Sequence, residues 1–220
     1  MLIERLKHLA TKLDIIVLLI PLVLGLGWII FENHGFYGDE VTHIGFLKSA
    51  VNNAEKSPNI VKYFWELYRF NDRYPPFFYL LSAPFLHIFD DVILGARIYV
   101  LVLYLATALI FFLVLRQNLS RWSVVLGVGI LCSSSEYLLA GRYYLLEIMI
   151  LFLLLAMYLM MIRFLKTGRL YHVFLAGIFL SAGFLTKFNF VIYAAPVVSF
   201  FLLTLFIKLR NDLPPFYVPT

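Results

Sequence analysis

Two adjacent carboxylates, Asp39 and Glu40, directly follow Gly38, and His43 lies four residues after Asp39. Carboxylates in such a pair could act as a general base or bind a metal ion. They could equally be solvated charges, or first-turn acids that complement a helix dipole. The residues themselves leave these interpretations open.

Three further charged residues, Arg142, Glu147 and Lys187, lie within or beside long apolar runs. Arg142 alone could extend from a helix end to water. Glu147 is predicted to lie about a turn and a half into an apolar helix, where an unpaired carboxylate is costly. We therefore expect Glu147 and Lys187 to face the interior of a helix bundle, and Glu147 to have a partner.

The cations Arg142 and Lys187, together with Arg97, suit a lipid phosphate. Arg presents a planar fork to phosphate oxygens and Lys a point charge. A nearby carboxylate could then take a proton from an acceptor hydroxyl. The combination predicts group transfer from a phosphate-linked lipid.

The elements that position these residues must cross a membrane. Of the 220 residues, 62% are hydrophobic and 14% are charged, whereas a soluble domain has roughly 25% charged residues. This composition excludes a soluble enzyme, a nucleic-acid binder and a disordered chain. It predicts one all-α, polytopic membrane module over residues 1–220. The single cysteine, Cys132, excludes a disulfide framework and a cysteine metal site.

Six apolar stretches are long enough to cross a bilayer. A shorter stretch, 77–89, contains Pro84, and we expect it to lie at the interface or to re-enter the membrane. The prolines of Tyr74-Pro75-Pro76 are expected to fix its start. The predicted spans are about 15–31, 93–115, 122–140, 143–162, 170–186 and 189–207.

Basic residues collect on one side of these spans. The N-terminus, the turns at 116–121 and 163–169 and the C-terminal tail together hold ten Lys and Arg but three Asp and Glu. The positive-inside rule places these segments in the cytoplasm. Both termini are therefore predicted to be inside, with the first span a retained anchor.

The opposite side holds a long loop, about 32–92, and tight turns near 133–142 and 186–189. We expect the chemistry there. Within the long loop Val61, Phe64, Trp65 and Tyr68 recur at helical spacing, which is typical of a helix in the headgroup layer.

Five short motifs, in order and in spacing, resemble the GT-C glycosyltransferases, in particular the protein O-mannosyltransferase-like and aminoarabinose-transferase-like group. Members typically carry Asp-Glu after the first span, His-Pro-Pro, an Arg opening the second span, Ser-Arg-x-x-x-x-Asp/Glu, and a glycine pattern ending in Lys. The matching residues here are Gly38-Asp39-Glu40, Tyr74-Pro75-Pro76, Ala96-Arg97, Gly141-Arg142 to Glu147, and Gly183 to Lys187. The resemblance implies the N-terminal module of that fold.

The resemblance also implies roles for the carboxylates. Asp39 would be the general base for an in-line, inverting attack of an acceptor hydroxyl on the anomeric carbon of a polyprenyl-phosphate sugar. Glu40 would orient the acceptor or, with His43, bind a divalent ion. No other cofactor is implied.

For the cations, the resemblance implies binding of the donor. Arg142 and Lys187 would hold the lipid phosphate and stabilise its growing charge. Arg97 would belong to the same site, and Glu147 would fix Arg142 by an ion pair.

Two departures from the family pattern matter. Tyr74 stands where members usually have His, so no role of that His carries over. Members usually have eleven or more spans and often a soluble C-terminal domain, so a missing region or a partner subunit would complete the acceptor site.

The leading hypothesis is a hexosyl- or pentosyltransferase in the plasma, inner or endoplasmic reticulum membrane, with its active site outside the cytoplasm. The acceptor would be a protein, a lipid or a glycan, and neither it nor the sugar is specified by the sequence. One alternative is a non-catalytic lipid-binding subunit or fragment of such an enzyme. The other is a transporter or flippase, with Arg142, Glu147 and Lys187 along its path.

Overall fold

The structure, a computed structural model, describes residues 19–31, 38–56, 59, 61–62, 65–66, 75–89 and 91–212. All its regular elements in these ranges are α-helices, which confirms the predicted all-α class. The helices are α1 (Leu19–Phe31), α2 (Asp39–Glu55), α3 (Phe77–Ile88), α4 (Val92–Leu115), α5 (Arg121–Ser133), α6 (Ser135–Ala140), α7 (Glu147–Thr167), α8 (Leu170–Phe184) and α9 (Phe190–Asp212).

Three helices in the described ranges are long and apolar enough to cross a membrane: α4, α7 and the Phe190–Lys208 part of α9. Four shorter apolar helices, α1, α3, α5 and α8, accompany them. The chain is a polytopic membrane protein, as its composition predicts. Only 11% of the apolar part of α9 is buried inside the protein. Its exposed apolar side chains are suited to contact with lipid tails, which are equally apolar.

The helix breaks fall near the predicted positions, with two differences. α5 ends at Ser133 and Ser134 is extended, so the short α6 fills the rest of the predicted 122–140 span. Residues 141–146 are not helical, and we call them the 141–146 loop. α7 therefore begins at Glu147 and not at residue 143. One reason is that the N–H of Tyr144 bonds to a side chain, Glu40, instead of a helical carbonyl.

The sequence does not predict α2, which lies inside the predicted long loop at about 32–92. It starts after Gly38, whose φ of +44° is in the left-handed region that favours glycine. Asp39 and Glu40 form its acidic first turn. Of the predicted headgroup helix, residues 61–62 and 65–66 are helical, while Phe64, Tyr68 and the motif residue Tyr74 lie outside the described residues.

An aromatic cluster joins α3, α4 and the 141–146 loop. The ring of Phe78 lies 4.7 Å from that of Tyr144 and 5.4 Å from that of Tyr99, measured between centroids. The hydroxyl of Tyr144 is 2.5 Å from Oγ of Ser82, on α3. Because Phe78 and Tyr144 are fully buried, this cluster packs the 141–146 loop closely against α3 and α4.

Helices α3 and α4 approach closely at Gly95. A Cβ at this position would lie 2.8 Å from the carbonyl oxygen of Phe85, a backbone atom that cannot rotate away. We expect Gly95→Ala to lower the free energy of unfolding by about 1–3 kcal/mol, as overpacking does. Thermal unfolding of the purified protein in detergent measures the change.

Gly129→Ala is the matched control, because a Cβ there has no described heavy atom within 4 Å. In this helix, α5, we expect it to be neutral or to stabilise by up to about 1 kcal/mol. Equal melting temperatures for the two variants would contradict the close contact at Gly95.

Candidate active site

A buried ion pair fixes the first turn of α2. The side chain of Glu40 is 0% exposed, and its oxygens accept hydrogen bonds from Nε and Nη2 of Arg97 at 3.2 and 3.1 Å. Oε1 of Glu40 also accepts from the backbone N–H of Tyr144 at 3.1 Å. Since a buried charge needs a counter-charge and hydrogen bonds, the pair joins α2 to α4 and to the 141–146 loop.

Asp39 is exposed, one residue before Glu40. The same turn is anchored by Glu40, so the Asp39 carboxylate is presented at the surface from a fixed backbone. His43 lies one turn further along α2, on the same side of the helix as Asp39. It is buried, and its Nδ1 is 2.6 Å from the hydroxyl of Tyr79 on α3.

Charges from three segments of the chain act on His43. Burial, the largest effect, lowers the pKa of the imidazole below its usual value. The negative charges of Glu147 and Asp39 act to raise this pKa, and the positive charge of Lys187 acts to lower it. Such interactions are strong only at short range. The charged groups of Asp39, Glu147 and Lys187 therefore lie within electrostatic range of one imidazole.

Glu147 pairs with Lys187 and not with Arg142, so the predicted Arg142–Glu147 ion pair is wrong. Nζ of Lys187 donates to Oε1 of Glu147 at 2.8 Å. The predicted depth of Glu147 is also wrong, because it is the first residue of α7 and its side chain is 52% exposed. The residues expected to form the first turn of this helix belong to the 141–146 loop. The carboxylate of Glu147 therefore lies at the N-terminal, positive end of the α7 dipole.

Arg142 is held by an aromatic ring. Its Cζ lies 4.6 Å from the centroid of the indole ring of Trp28 on α1. Tyr143 meets the same indole edge-on at 5.5 Å. Nothing in the part of the chain that the structure describes accepts a hydrogen bond from the Arg142 guanidinium. Its donors are therefore available to a ligand.

The proline motif lies beside the turn that carries Lys187. α3 begins at Phe77 after Pro75 and Pro76, as the sequence predicts. The N–H of Phe77 donates to the carbonyl of Leu185 at 3.1 Å. This bond links the start of α3 to the α8–α9 turn.

The two predicted metal ligands have other contacts. Glu40 accepts hydrogen bonds from Arg97 and Tyr144, and Nδ1 of His43 is bonded to Tyr79. Among the residues whose positions are described, no group of three or more His, Cys, Asp or Glu side chains is placed to hold one metal ion.

Residues 16–217 match the family model described as dolichyl-phosphate-mannose-protein mannosyltransferase. The chain belongs to this mannosyltransferase family. The match covers most of the sequence and confirms the resemblance to GT-C glycosyltransferases seen in the motifs. No curated protein and no solved structure matches the chain.

Two apolar grooves flank the Lys187 turn in this mannosyltransferase-family chain. One, of about 540 Å³, lies between α8 and α9 and includes Leu185 and Val191. The other, of about 520 Å³, is bounded by Phe77 and by α8, and also includes Leu185. Both grooves include Leu185, two residues before Lys187, so apolar surface lies beside the turn that carries this cation.

The partners of the charged residues in this mannosyltransferase-family chain are not evident from its sequence. Trp28, Tyr79 and Tyr144 are aromatic residues in a chain that is 18% aromatic, so their types alone did not single them out. The clearest available signal was Tyr143-Tyr144 between Arg142 and Glu147, since two hydroxyl-bearing rings in a predicted span require hydrogen-bond partners.

Proposed function

We propose that the chain carries the donor site of a membrane glycosyltransferase that moves a sugar from a polyprenyl phosphate to an acceptor hydroxyl. The observation that carries the proposal is an exposed Asp39 one helical turn from a buried His43, with the Lys187–Glu147 ion pair within electrostatic range of that imidazole. The family name indicates mannose on dolichyl phosphate as the first donor to test.

In the proposed reaction the Asp39 carboxylate takes the proton of the acceptor hydroxyl. The hydroxyl oxygen forms a bond to the anomeric carbon as the bond from that carbon to the phosphate oxygen breaks in line. The bonding electrons stay with the phosphate, whose growing negative charge Arg142 and Lys187 stabilise. The polyprenyl phosphate leaves, and the anomeric configuration is inverted.

Glu40 and Arg97 have a positioning role in this scheme. Their mutual hydrogen bonds satisfy both carboxylate oxygens and two donors of the guanidinium. Arg97 is also 8% exposed. We therefore assign the pair to holding the turn that carries Asp39, and not to contact with the acceptor or the donor phosphate.

The transporter alternative receives no support from the positions of the charges. Such a path needs ionisable groups near the middle of the bilayer. Glu147 opens α7, Arg142 lies in the 141–146 loop and Lys187 lies in the α8–α9 turn. All three lie at or beside helix ends, and the ends of membrane-spanning helices lie nearer the lipid headgroups than the bilayer midplane. The excess of Lys and Arg in the other connecting segments supports an extracytoplasmic site.

Native mass spectrometry of the detergent-purified protein with added dolichyl phosphate or dolichyl phosphate mannose tests the donor site. We expect Arg142→Ala, Lys187→Ala to weaken binding about tenfold or more, because charge-assisted hydrogen bonds to phosphate are lost. Equal binding by this double variant and the wild type would contradict the proposal.

The matched control is Arg116→Ala, Lys166→Ala, which removes the same two charges elsewhere. Arg116 also stacks on a ring, that of Phe112, at 5.4 Å, and Lys166 bonds to Gln117. We expect this control to bind the lipid as the wild type does. If this control loses lipid binding to the same extent, the effect comes from the change in net charge and not from the positions of Arg142 and Lys187.

A further inference from the structure

Arg142 and Arg97 are held in two different ways. Arg97 gives its Nε and one Nη to the Glu40 carboxylate. Arg142 lies over the face of Trp28, with its Cζ 4.6 Å from the ring centroid. A carboxylate uses up the N–H donors of a guanidinium, which lie in its plane, whereas a ring face contacts the flat side and leaves those donors pointing outward.

The indole that supports Arg142 is itself fixed. Tyr143 packs edge-on against it at 5.5 Å. α1 is anchored on α4 three residues earlier, where a Cβ on Gly25 would lie 2.3 Å from Cδ1 of Leu101. The ring therefore has a defined place relative to the 141–146 loop, and the guanidinium carbon of Arg142 lies over it.

We propose that Trp28 is a positioning residue for donor binding: its indole face orients the Arg142 guanidinium toward the phosphate of the lipid-linked sugar. This rests on the proposed function, since it concerns the same donor site. A ring is suited to this task because it holds the cation without competing with the phosphate as a carboxylate would.

The ordinary role of a tryptophan at this depth is to anchor a helix at the membrane interface. Such a role predicts that Trp28 supports the fold with no special link to Arg142. The proposal predicts instead that Trp28 acts on donor binding through Arg142.

A double-mutant cycle separates the two roles. The dissociation constant of dolichyl phosphate is measured by native mass spectrometry for wild type, Trp28→Leu, Arg142→Ala and the double variant. We expect Trp28→Leu to weaken binding about three- to thirtyfold, the range of a cation–π contact. In the Arg142→Ala background we expect Trp28→Leu to have no further effect.

Trp28→Phe is the conservative variant, because it keeps an aromatic face, and we expect it to bind within about threefold of the wild type. Where Trp28→Leu proves unstable, Trp28→Met, which also removes the aromatic face, supplies the cycle in the two Arg142 backgrounds. A loss from Trp28→Leu that is equal with and without Arg142 would overturn the proposal.

The outcome for Arg142→Ala distinguishes the two failures. If Arg142→Ala itself leaves lipid binding unchanged, the proposed donor site is wrong. If Arg142→Ala weakens binding but Trp28→Leu does not, the donor site stands and the positioning role of Trp28 is wrong.

Discussion

Asp39→Asn is expected to lower the rate of sugar transfer by about 10²- to 10⁴-fold, the usual contribution of a general base. The amide has the shape of the carboxylate but cannot accept the proton of the acceptor hydroxyl. Asp39 is exposed, and the buried contacts of its turn are made by Glu40. The substitution should therefore leave the fold and donor binding intact.

The measurement is transfer of isotope-labelled mannose from dolichyl phosphate mannose into acceptors of membranes that contain each variant. Glu55→Gln is the matched control, since Glu55 is an exposed carboxylate at the far end of the same helix, 3.6 Å from His87. We expect that control to transfer at the wild-type rate. A rate for Asp39→Asn within a few fold of the wild type would show that Asp39 is not the base, and no transfer by the wild type would contradict the activity itself.

Arg97→Met is expected to destabilise the protein strongly, by about 3–5 kcal/mol, because removing one partner of a buried ion pair leaves the other charge uncompensated. Glu40 is 0% exposed and would keep only its bond from Tyr144 among those given above. Chemical unfolding in detergent or bicelles measures the loss.

Two variants test the cause of that loss. In Glu40→Gln, Arg97→Met the buried charges are both gone, so we expect a large part of the stability to return. Lys187→Met breaks an ion pair whose side chains are 27% and 52% exposed, and we expect a cost below about 1 kcal/mol. If Arg97→Met proved no more harmful than Lys187→Met, the Glu40–Arg97 pair would not be the anchor of α2.

The sequence predicts the features of this fold that depend on local chemistry. Pro75 and Pro76 set the start of α3, and the polar residues at 133–136 and 186–189 interrupt the apolar runs, because both effects act within a few residues. The segment 39–55 behaves differently: its apolar positions do not form a strong helical stripe, and its buried residues, such as Leu47, become apparent only beside α3 and α4.

The partners of the charged residues could not be predicted for a related reason. Sequence order suggests Arg142 as the ion-pair partner of Glu147, because the two are five residues apart. In the structure the loop between them directs Arg142 toward Trp28 on α1, and Glu147 pairs instead with Lys187, forty residues later. Glu40 likewise finds Arg97, 57 residues later. Such pairings depend on how helices pack, which local spacing does not specify.

The 141–146 loop also has a consequence for how the length of the chain can vary. A Cβ on Gly141 would lie 2.3 Å from the ring of Tyr104, Arg142 stacks on α1, and Tyr144 bonds to α2 and α3. One inserted or deleted residue would displace the following residues by up to about 3.5 Å, enough to break the contact with every one of those helices. Insertions and deletions during evolution should therefore be tolerated in exposed turns such as 116–120, while this loop keeps a fixed number of residues.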